Sequence, residues 1–499
     1  MLNRLYRSVL FNPIYFLVKN GFKVAAYLIP YRYNRAVNPT LSLDTIRNYN
    51  KNRTLGPRKI ICNAPFTQIY FKQDGKLTAC CASSVDAYGN INDGTINQIW
   101  NGIKADKLRR RILNYDLSGG CLGCQHSLEV GNYNAFIGRV YDTIFPVKVR
   151  DYPNEMTFEI SNTCNLECIM CSGEFSNLIR KKRENMPPLP NHYDNDFFEQ
   201  VKDFLPKLKR VRFMGGEPFL IKEYKSIINY ILENNKDCKI HIQTNGTILN
   251  ENVKRIVESE NVELSISIDS LQKNKFEEIR KNSNYERVME NLSYFSYRAQ
   301  KYHQLININF CVMNNNWNEV ADIVLFCEKR NFSLAIIPVV DPAYLSLSDL
   351  KYDELNNIYE YSKQSLKKIK NVRLNSIYID YLNYLKSLLD NSIAYWKNIE
   401  ALELQSEEIL YKKAKELFVF VNNIPEQSDK ADIFDITLSE YKVLDRIVLK
   451  ELLCHFIIQL KEVDAQAIKT NFLNYDELLK ESKHYLDNLY KIKIYNKSK

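Results

Sequence analysis

Short apolar runs recur through the middle of the chain, and each is separated from the next by a stretch in which apolar residues lie three and four positions apart. The runs cover residues 156–161, 209–214, 239–244, 263–268, 306–312 and 334–340. Their length and their Ile and Val content predict strands, and the stretches between them predict helices. Strands that alternate with helices form parallel sheets. The pattern predicts an α/β fold of six units, fewer than a full barrel of about 250 residues contains.

The hydrophobic pattern changes on both sides of this region. Beyond about residue 343, Leu, Ile and Tyr recur at helical spacing, which predicts a helical C-terminal region. Its apolar positions include Tyr378, Tyr381, Leu382 and Leu385, and later Val448, Leu452, Phe456 and Leu460. Before the α/β region, two short strand-like runs flank Asp74-Gly75, a strong turn dipeptide, and predict a hairpin in a small α+β module. We therefore predict four parts, with bounds 1–57, 58–135, 150–342 and 343–499.

Three cysteines follow the first predicted strand of the α/β region within one short loop. Cys164, Cys168 and Cys171 are spaced C-x₃-C-x₂-C. Cubic iron–sulfur clusters are ordinarily held by four cysteines, so three would leave one iron with an open coordination position. Open positions on protein-bound metals are typical of catalytic sites. The alternative is a zinc knuckle whose fourth ligand is missing or remote.

This cysteine spacing resembles the signature of the radical S-adenosylmethionine (radical SAM) superfamily. Met170 stands where those enzymes place a large apolar or aromatic residue, whose backbone helps to hold the adenine. The resemblance implies a partial (β/α)6 barrel and a 4Fe–4S cluster whose open iron binds SAM. It also implies reductive cleavage of SAM to a 5′-deoxyadenosyl radical that abstracts hydrogen from a substrate. The cofactors would supply this chemistry, and the protein would position the reactants.

Further positions match SAM contacts of that family. The element Gly215-Gly216-Glu217-Pro218 follows the second predicted strand and resembles the family's Gly-Gly-Glu-Pro motif, which binds the SAM amino group. Later strand ends and the following helix carry the other candidate contacts, which are Thr244, Asn245, Ser267, Asp269 and Arg280. By resemblance Arg280 would pair with the SAM carboxylate, to which a guanidinium can donate two parallel hydrogen bonds. The ordinary alternatives are an Asn-Gly turn, a helix cap and a solvated arginine.

A second group of cysteines lies in the α+β module. Cys62, the pair Cys80-Cys81 and Cys121-x₂-Cys124 provide five thiols for four coordination places. The segment resembles the twitch form of the SPASM domain, which binds one auxiliary 4Fe–4S cluster, although that module more often follows the barrel. We predict Cys62, Cys80, Cys121 and Cys124 as ligands, with Cys81 as the substitute for Cys80. A structural zinc site of four cysteines is the competing interpretation.

Composition and charge narrow the functional classes. Twelve cysteines in 499 residues are too few for a disulfide scaffold and favour a reducing cytoplasm. A net charge of +9 is modest for this length and does not predict nucleic-acid binding. No apolar run reaches the roughly eighteen residues of a membrane span. The basic, aromatic N-terminal arm could instead contact an anionic membrane surface, pack on the barrel or bind a partner.

These observations lead to a functional hypothesis with two alternatives. We predict a radical SAM enzyme that oxidatively modifies a peptide or protein, with a reductant such as flavodoxin or ferredoxin. A dehydrogenase or epimerase acting on a sugar, an alcohol or another small molecule is the second candidate. A non-catalytic iron–sulfur or zinc interaction protein is the third, and the intact element at 215–218 argues against it. No residue is predicted as the catalytic base.

Overall fold

The computed structural model describes residues 39–53, 56–83, 86–133, 135–143 and 152–421, together with 450, 453, 454 and 457. The chain divides into two compact units. The first contains the described parts of 1–161, 189–213 and 225–240, and the second those of 162–188, 214–224 and 241–499. Most of the predicted N-terminal arm, and Val448, Leu452, Phe456 and Leu460, lie outside the described residues.

The first unit contains five strands, which are β1 Gln68–Phe71, β2 Lys76–Thr78, β3 Gly89–Asn90, β4 Glu155–Phe158 and β5 Arg210–Phe213. Their order in the sheet is β3-β2-β1-β4-β5. The β2 strand is antiparallel to both β1 and β3, whereas β1, β4 and β5 run parallel. The predicted hairpin at Asp74-Gly75 is therefore confirmed, and it joins the first barrel strand through β1.

Four further strands follow, which are β6 Lys239–Thr244, β7 Val262–Ser267, β8 Asn307–Val312 and β9 Ser333–Pro338. Their order is β6-β7-β8-β9, and β8 runs parallel to both β7 and β9. Strands β4 to β9 correspond to the six predicted strands, with ends that differ by three residues at most. The α/β prediction with a parallel sheet of six barrel strands is confirmed.

Helices connect these strands and extend beyond the last one. They are α1 Leu43–Asn52, α2 Ala64–Thr67, α3 Ile96–Trp100, α4 Ile103–Leu113, α5 Leu122–Glu129, α6 Asn177–Lys182, α7 Asn195–Lys202, α8 Lys222–Asn234, α9 Glu251–Val257, α10 Lys273–Ile279, α11 Tyr285–Lys301, α12 Val320–Lys329, α13 Tyr352–Ile369, α14 Asn375–Glu403 and α15 Glu407–Val421. Short 3₁₀ segments cover Ile91–Asp93, Gly119–Cys121, Ile137–Thr143, Leu205–Lys207, Pro218–Leu220, Trp317–Glu319 and Ala343–Leu345.

The helical C-terminal region is confirmed as far as the structure describes it. The predicted apolar positions Tyr378, Tyr381 and Leu385 are buried on α14. The Tyr378 hydroxyl donates to the carbonyl of Ser362 on α13 at 2.8 Å, and the Tyr378 and Tyr381 rings lie 5.8 Å apart. Within the described residues, no helix combines the length and apolar character that a membrane span requires.

A row of three phenylalanines forms the centre of the first unit. The parallel register places Phe71 opposite Phe158, and Phe158 opposite Phe213. Their rings stack with centroids 5.1 Å and 5.4 Å apart, and all three are fully buried. Phe197 of α7 packs edge-on against two of them. Because the row crosses three strands, it joins the α+β module to the start of the barrel.

In the second unit, one face of the sheet carries apolar side chains and the other face carries polar side chains. Ile242, Leu264, Ile266, Ile308 and Phe310 are all buried. The alternate positions carry polar groups. The side chains of His241 and Ser265 lie 3.2 Å apart, and the Asn307 side chain donates to that of Asn309 at 2.7 Å. Since side chains alternate across a strand, one face packs as core and the other presents hydrogen-bonding groups.

Replacing Phe158 with Ala should destabilise the first unit, because the truncation leaves a cavity in the middle of the ring row. We expect a loss of about 3–5 kcal/mol of unfolding free energy, typical of buried Phe→Ala changes, measured as a lower midpoint of anaerobic thermal unfolding. The control is Phe175→Ala, since the Phe175 ring is 39% exposed. Equal losses in the two variants would contradict a central role for the row.

Candidate active site

The loop that carries Cys164, Cys168 and Cys171 is held in place by backbone hydrogen bonds at several points. The Glu167 and Ile169 amides donate to the carbonyls of Lys281 and Ile279, at 3.1 and 2.9 Å. Earlier in the loop, the Thr163 carbonyl accepts from the amide of Glu217 at 2.7 Å. The thiols of this loop are half-buried or buried. The loop is thus bonded on both sides of its first cysteine.

The turn after β5 approaches this loop closely. Gly215 and Gly216 have φ of +72° and +28°, in the region that favours glycine. A Cβ on Gly216 would lie 2.3 Å from the Thr163 carbonyl oxygen. A side chain at this position would therefore push the turn away from the cysteine loop, so the glycine that the sequence pattern singled out has a direct steric reason.

Glu217 connects this turn to the end of β6. Its carboxylate is 0% exposed. One oxygen accepts from the Phe219 amide at 3.1 Å and the Thr244 hydroxyl at 2.8 Å, and the other accepts from the Asn245 amide at 2.8 Å. Burial raises the pKa of Glu217 to about 7, and the hydrogen bond from Asn245 opposes the shift. Glu217 thus holds Thr244 and Asn245, and its predicted contact with the SAM amino group stays a prediction.

A network of amides and a hydroxyl extends from β6 to the cysteine loop. The Asn245 side chain donates to the side-chain oxygen of Asn165 at 3.0 Å, and Asn165 donates to the Thr247 hydroxyl at 2.9 Å. Thr247 in turn donates to Asn245 at 2.7 Å, which closes the ring. Asn165 follows Cys164 directly, so the end of β6 also positions the first cysteine. Asn165 and Thr247 could not be predicted as part of the site, because no local sequence pattern indicates a contact across about eighty residues.

Arg280 lies beside the second cysteine of the loop. Its guanidinium pairs with Asp269 at 2.6 Å and lies 3.9 Å from the Cys168 sulfur. Asp269 also accepts from the Cys311 amide at 2.7 Å. The predicted positions Arg280 and Asp269 are therefore brought together, as a buried ion pair with each other. Their predicted contacts with SAM remain predictions.

Burial and the neighbouring charges shift the pKa values of the thiols in this loop. Burial raises the pKa of Cys164 to about 11 and that of Cys171 to about 12. Burial also raises the pKa of Cys168, and the adjacent Arg280 guanidinium opposes this rise without cancelling it. Metal ligation requires thiolates. Arg280 is therefore placed to favour the ligating form of Cys168.

Two other predicted SAM contacts lie on the same unit. Met170 packs against a buried cluster of Ile279, Met313, Val339 and Leu345. Ser267 is at the end of β7, opposite Asn309 of β8. Both lie at the carboxyl side of the strands or in the loops above them, where parallel α/β sheets bind their ligands. The structure places them without testing their roles.

In the first unit, four half-buried cysteines line one small cavity. They are Cys62, Cys80, Cys121 and Cys124, and the cavity walls also include Phe136, Ile137 and Tyr141. Burial and the neighbouring thiols raise the pKa of Cys80 and of Cys121 to about 12. Cys81 does not line the cavity and is exposed. Of the adjacent pair, Cys80 therefore lies at the cavity and Cys81 does not, and the choice of Cys80 as the ligand stays a prediction.

No preformed metal geometry is present among these groups. Over the part of the chain that the structure describes, no three His, Cys, Asp or Glu side chains are arranged to hold a metal ion. The ligand roles of the seven cysteines therefore stay predictions. The chemistry of the donor sets fits iron–sulfur clusters, with three soft thiols in one loop and four around one cavity.

Comparison with protein families identifies the chain. The model of the radical SAM superfamily matches residues 158–327, and that of an iron–sulfur cluster-binding domain, SPASM, matches residues 62–125. The chain belongs to the radical SAM superfamily. The predicted family and the prediction of an enzyme are thereby confirmed. The predicted cofactors are confirmed as well, and they are SAM, a SAM-binding 4Fe–4S cluster and auxiliary iron–sulfur binding. When bound, the first cluster and SAM supply a 5′-deoxyadenosyl radical.

Curated relatives of this radical SAM protein include GTP 3′,8-cyclases. That of Aliarcobacter butzleri is 26% identical over 217 residues, which are 42% of this chain and 63% of the relative. A probable GTP 3′,8-cyclase of Methanococcus aeolicus is 30% identical over 216 residues, 42% of this chain and 68% of the relative. The chain thus spans less than two thirds of the first relative's length.

Solved structures show weaker similarity. Streptococcus suis SuiB, bound to its precursor peptide SuiA, matches 50% of this chain and 53% of its own, at 17% identity and a TM-score of 0.33. A protein called anSMEcpe, with bound AdoMet, matches 44% of this chain and 62% of its own, at 20% identity and a TM-score of 0.32.

Separate replacement of the adjacent cysteines tests the assignment in the cavity. Cys80→Ser should lose the auxiliary cluster, because Cys80 lines the cavity with three other thiols. We expect about four irons fewer per chain than in the parent protein, measured after anaerobic reconstitution. Cys81→Ser is the matched control and should keep the full iron content. Iron loss only in the Cys81 variant would reverse the assignment.

Replacing Glu217 with Gln should weaken SAM binding. Only one of the two positions of the new amide group is an oxygen, so glutamine cannot accept from both the Asn245 amide and the Thr244 hydroxyl, as the carboxylate does. Because hydrogen bonds to charged groups contribute about 1.5–3 kcal/mol, we expect at least a roughly tenfold loss of affinity by calorimetry, with iron content unchanged. Glu223→Gln, at the start of α8, is the control. Unchanged affinity for SAM would show that Glu217 does not order this site.

Proposed function

We propose that this enzyme oxidatively modifies a peptide or protein by radical SAM chemistry, with the auxiliary cluster as electron acceptor. Abstraction of a hydrogen atom takes one electron and one proton from the substrate. The substrate radical must then lose a second electron and a second proton to give an oxidised product. A net oxidation therefore needs an electron acceptor close to the barrel.

The observation that carries this proposal is the set of four cysteines around one cavity. Cys62, Cys80, Cys121 and Cys124 could complete the coordination of a cubic cluster, whereas the loop at 164–171 offers three thiols. A fully coordinated cluster has no open iron for a substrate, and its natural role is to accept or donate electrons. The two cysteine sets thus suit different tasks, one open for SAM and one closed for electron transfer.

A peptide is the favoured substrate class because the match to the iron–sulfur SPASM model includes all five cysteines of the α+β module. Enzymes with such modules often modify peptides. A small-molecule substrate is the second candidate, favoured by relatives that are named GTP 3′,8-cyclase. Their alignments cover 42% of this chain, so their activity is not transferred to it.

The remaining partners are proposed on chemical grounds. The first cluster needs a low-potential reductant, and flavodoxin or ferredoxin would supply the electron. All twelve cysteines belong to the described residues and none of them forms a disulfide, which suits a cytoplasmic location, where thiols stay reduced. Peripheral membrane contact through the N-terminal arm is a further proposal, and most of that arm lies outside the described residues.

The two substrate classes can be distinguished by the products that the enzyme forms when it is given each of them. Reconstituted enzyme, SAM and dithionite are incubated either with a library of synthetic peptides or with GTP. We expect 5′-deoxyadenosine above the substrate-free background with the peptides but not with GTP. We also expect peptide products lighter by about 2 Da, the mass of two hydrogens. Stimulation by GTP alone would contradict the peptide proposal and favour the second candidate. The matched control is the Cys164/Cys168/Cys171→Ala variant, which should show neither signal.

A further inference from the structure

A buried arginine–aspartate pair lies next to the auxiliary cavity and outside both matched regions. Arg53 follows helix α1, and Asp142 belongs to the 3₁₀ segment Ile137–Thr143. Their side chains are 1% and 6% exposed. Arg53 donates through Nε to one carboxylate oxygen at 2.9 Å and through Nη2 to the other at 2.8 Å. The planar fork of an arginine matches a carboxylate in this two-point arrangement.

The same guanidinium also holds the backbone that leads into the first auxiliary cysteine. Its Nη2 group donates to the carbonyls of Ile60 and Ile61, each at 2.9 Å. Cys62 is the next residue and lines the cavity. The Arg53 side chain thus holds the backbone that leads into Cys62 and, through Asp142, a second segment. No charged side chain other than arginine has a fork of donors for both tasks.

The second segment forms another part of the cavity wall. Ile137, Gly138 and Tyr141 all line the cavity, and Asp142 follows them directly. Asp142 is held additionally by the Tyr49 hydroxyl, which donates to it at 2.7 Å. Because a buried carboxylate is costly without its partner, loss of Arg53 would release this segment together with the segment before Cys62.

We propose that the Arg53–Asp142 pair positions two walls of the auxiliary cavity and thereby excludes solvent from the cluster and sets its reduction potential. The inference rests on the proposed auxiliary cluster. Solvent exposure is one of the factors that set cluster potentials. The reduced cluster carries one more negative charge than the oxidised cluster, and water stabilises that charge. Opening the walls should therefore raise the reduction potential and expose the cluster to oxygen.

The test uses the Cys164/Cys168/Cys171→Ala protein as parent, so that only the auxiliary cluster contributes to the signals. Arg53→Lys keeps the charge but loses the two-point fork, and Asp142→Asn keeps the shape but loses the charge. The readouts are the midpoint potential from an EPR-monitored titration and the rate of iron loss in air. Arg47→Ala is the control, since Arg47 lies on helix α1, which directly precedes Arg53, and is 53% exposed.

We expect both pair variants to reconstitute with iron, to show a higher midpoint potential and to lose iron in air at least fivefold faster than the parent. The Arg47 variant should match the parent in both readouts. Unchanged potential and iron-loss rate in both pair variants, even with a lower thermal midpoint, would overturn the proposal and leave the pair a structural role only. Zinc in place of iron in the parent itself would overturn the auxiliary cluster, and this inference with it.

Discussion

The buried carboxylate of Glu217 is the interaction on which the SAM half of the enzyme depends. A carboxylate with no solvent exposure persists only where its oxygens are hydrogen-bonded, and here donors from Phe219, Thr244 and Asn245 satisfy both oxygens. The backbone amide of Glu217 is bonded to Thr163 beside the first cysteine. One residue thus sets the distance between the glycine turn, the end of β6 and the cysteine loop, and a ligand bound there would meet a rigid site.

The two cysteine sets differ in the number of their thiols and in the groups that surround them, and these differences suit them to different chemistry. The loop at 164–171 has three thiols and a cationic neighbour, Arg280, whose ion pair with Asp269 keeps its charge beside Cys168. The cavity in the first unit has four thiols and apolar walls. An open cluster activates SAM, whereas a closed cluster in an apolar cavity suits electron transfer. Oxidation of a substrate needs both functions.

Features with a local signal were predictable from the sequence, and features made by distant residues were not. Runs of Ile and Val predicted β4 to β9, and the cysteine spacings predicted both sites. The parallel pairing of β1 with β4 was missed, since Gln68 and Glu155 are far apart along the chain and nothing near either one indicates the other. The same holds for Arg53 and Asp142, which are 89 residues apart. Arg280 and Asp269 were both predicted as SAM contacts, but their ion pair became evident only in the fold.

The most direct measurement combines iron content with SAM cleavage in the wild-type protein and in the Cys164/Cys168/Cys171→Ala variant. Both proteins are reconstituted anaerobically, assayed for iron and sulfide, reduced with dithionite and analysed for 5′-deoxyadenosine. The account predicts that about eight irons per chain fall to about four and that SAM cleavage is abolished. Undiminished cleavage in the variant would contradict the assignment of the reactive cluster to this loop.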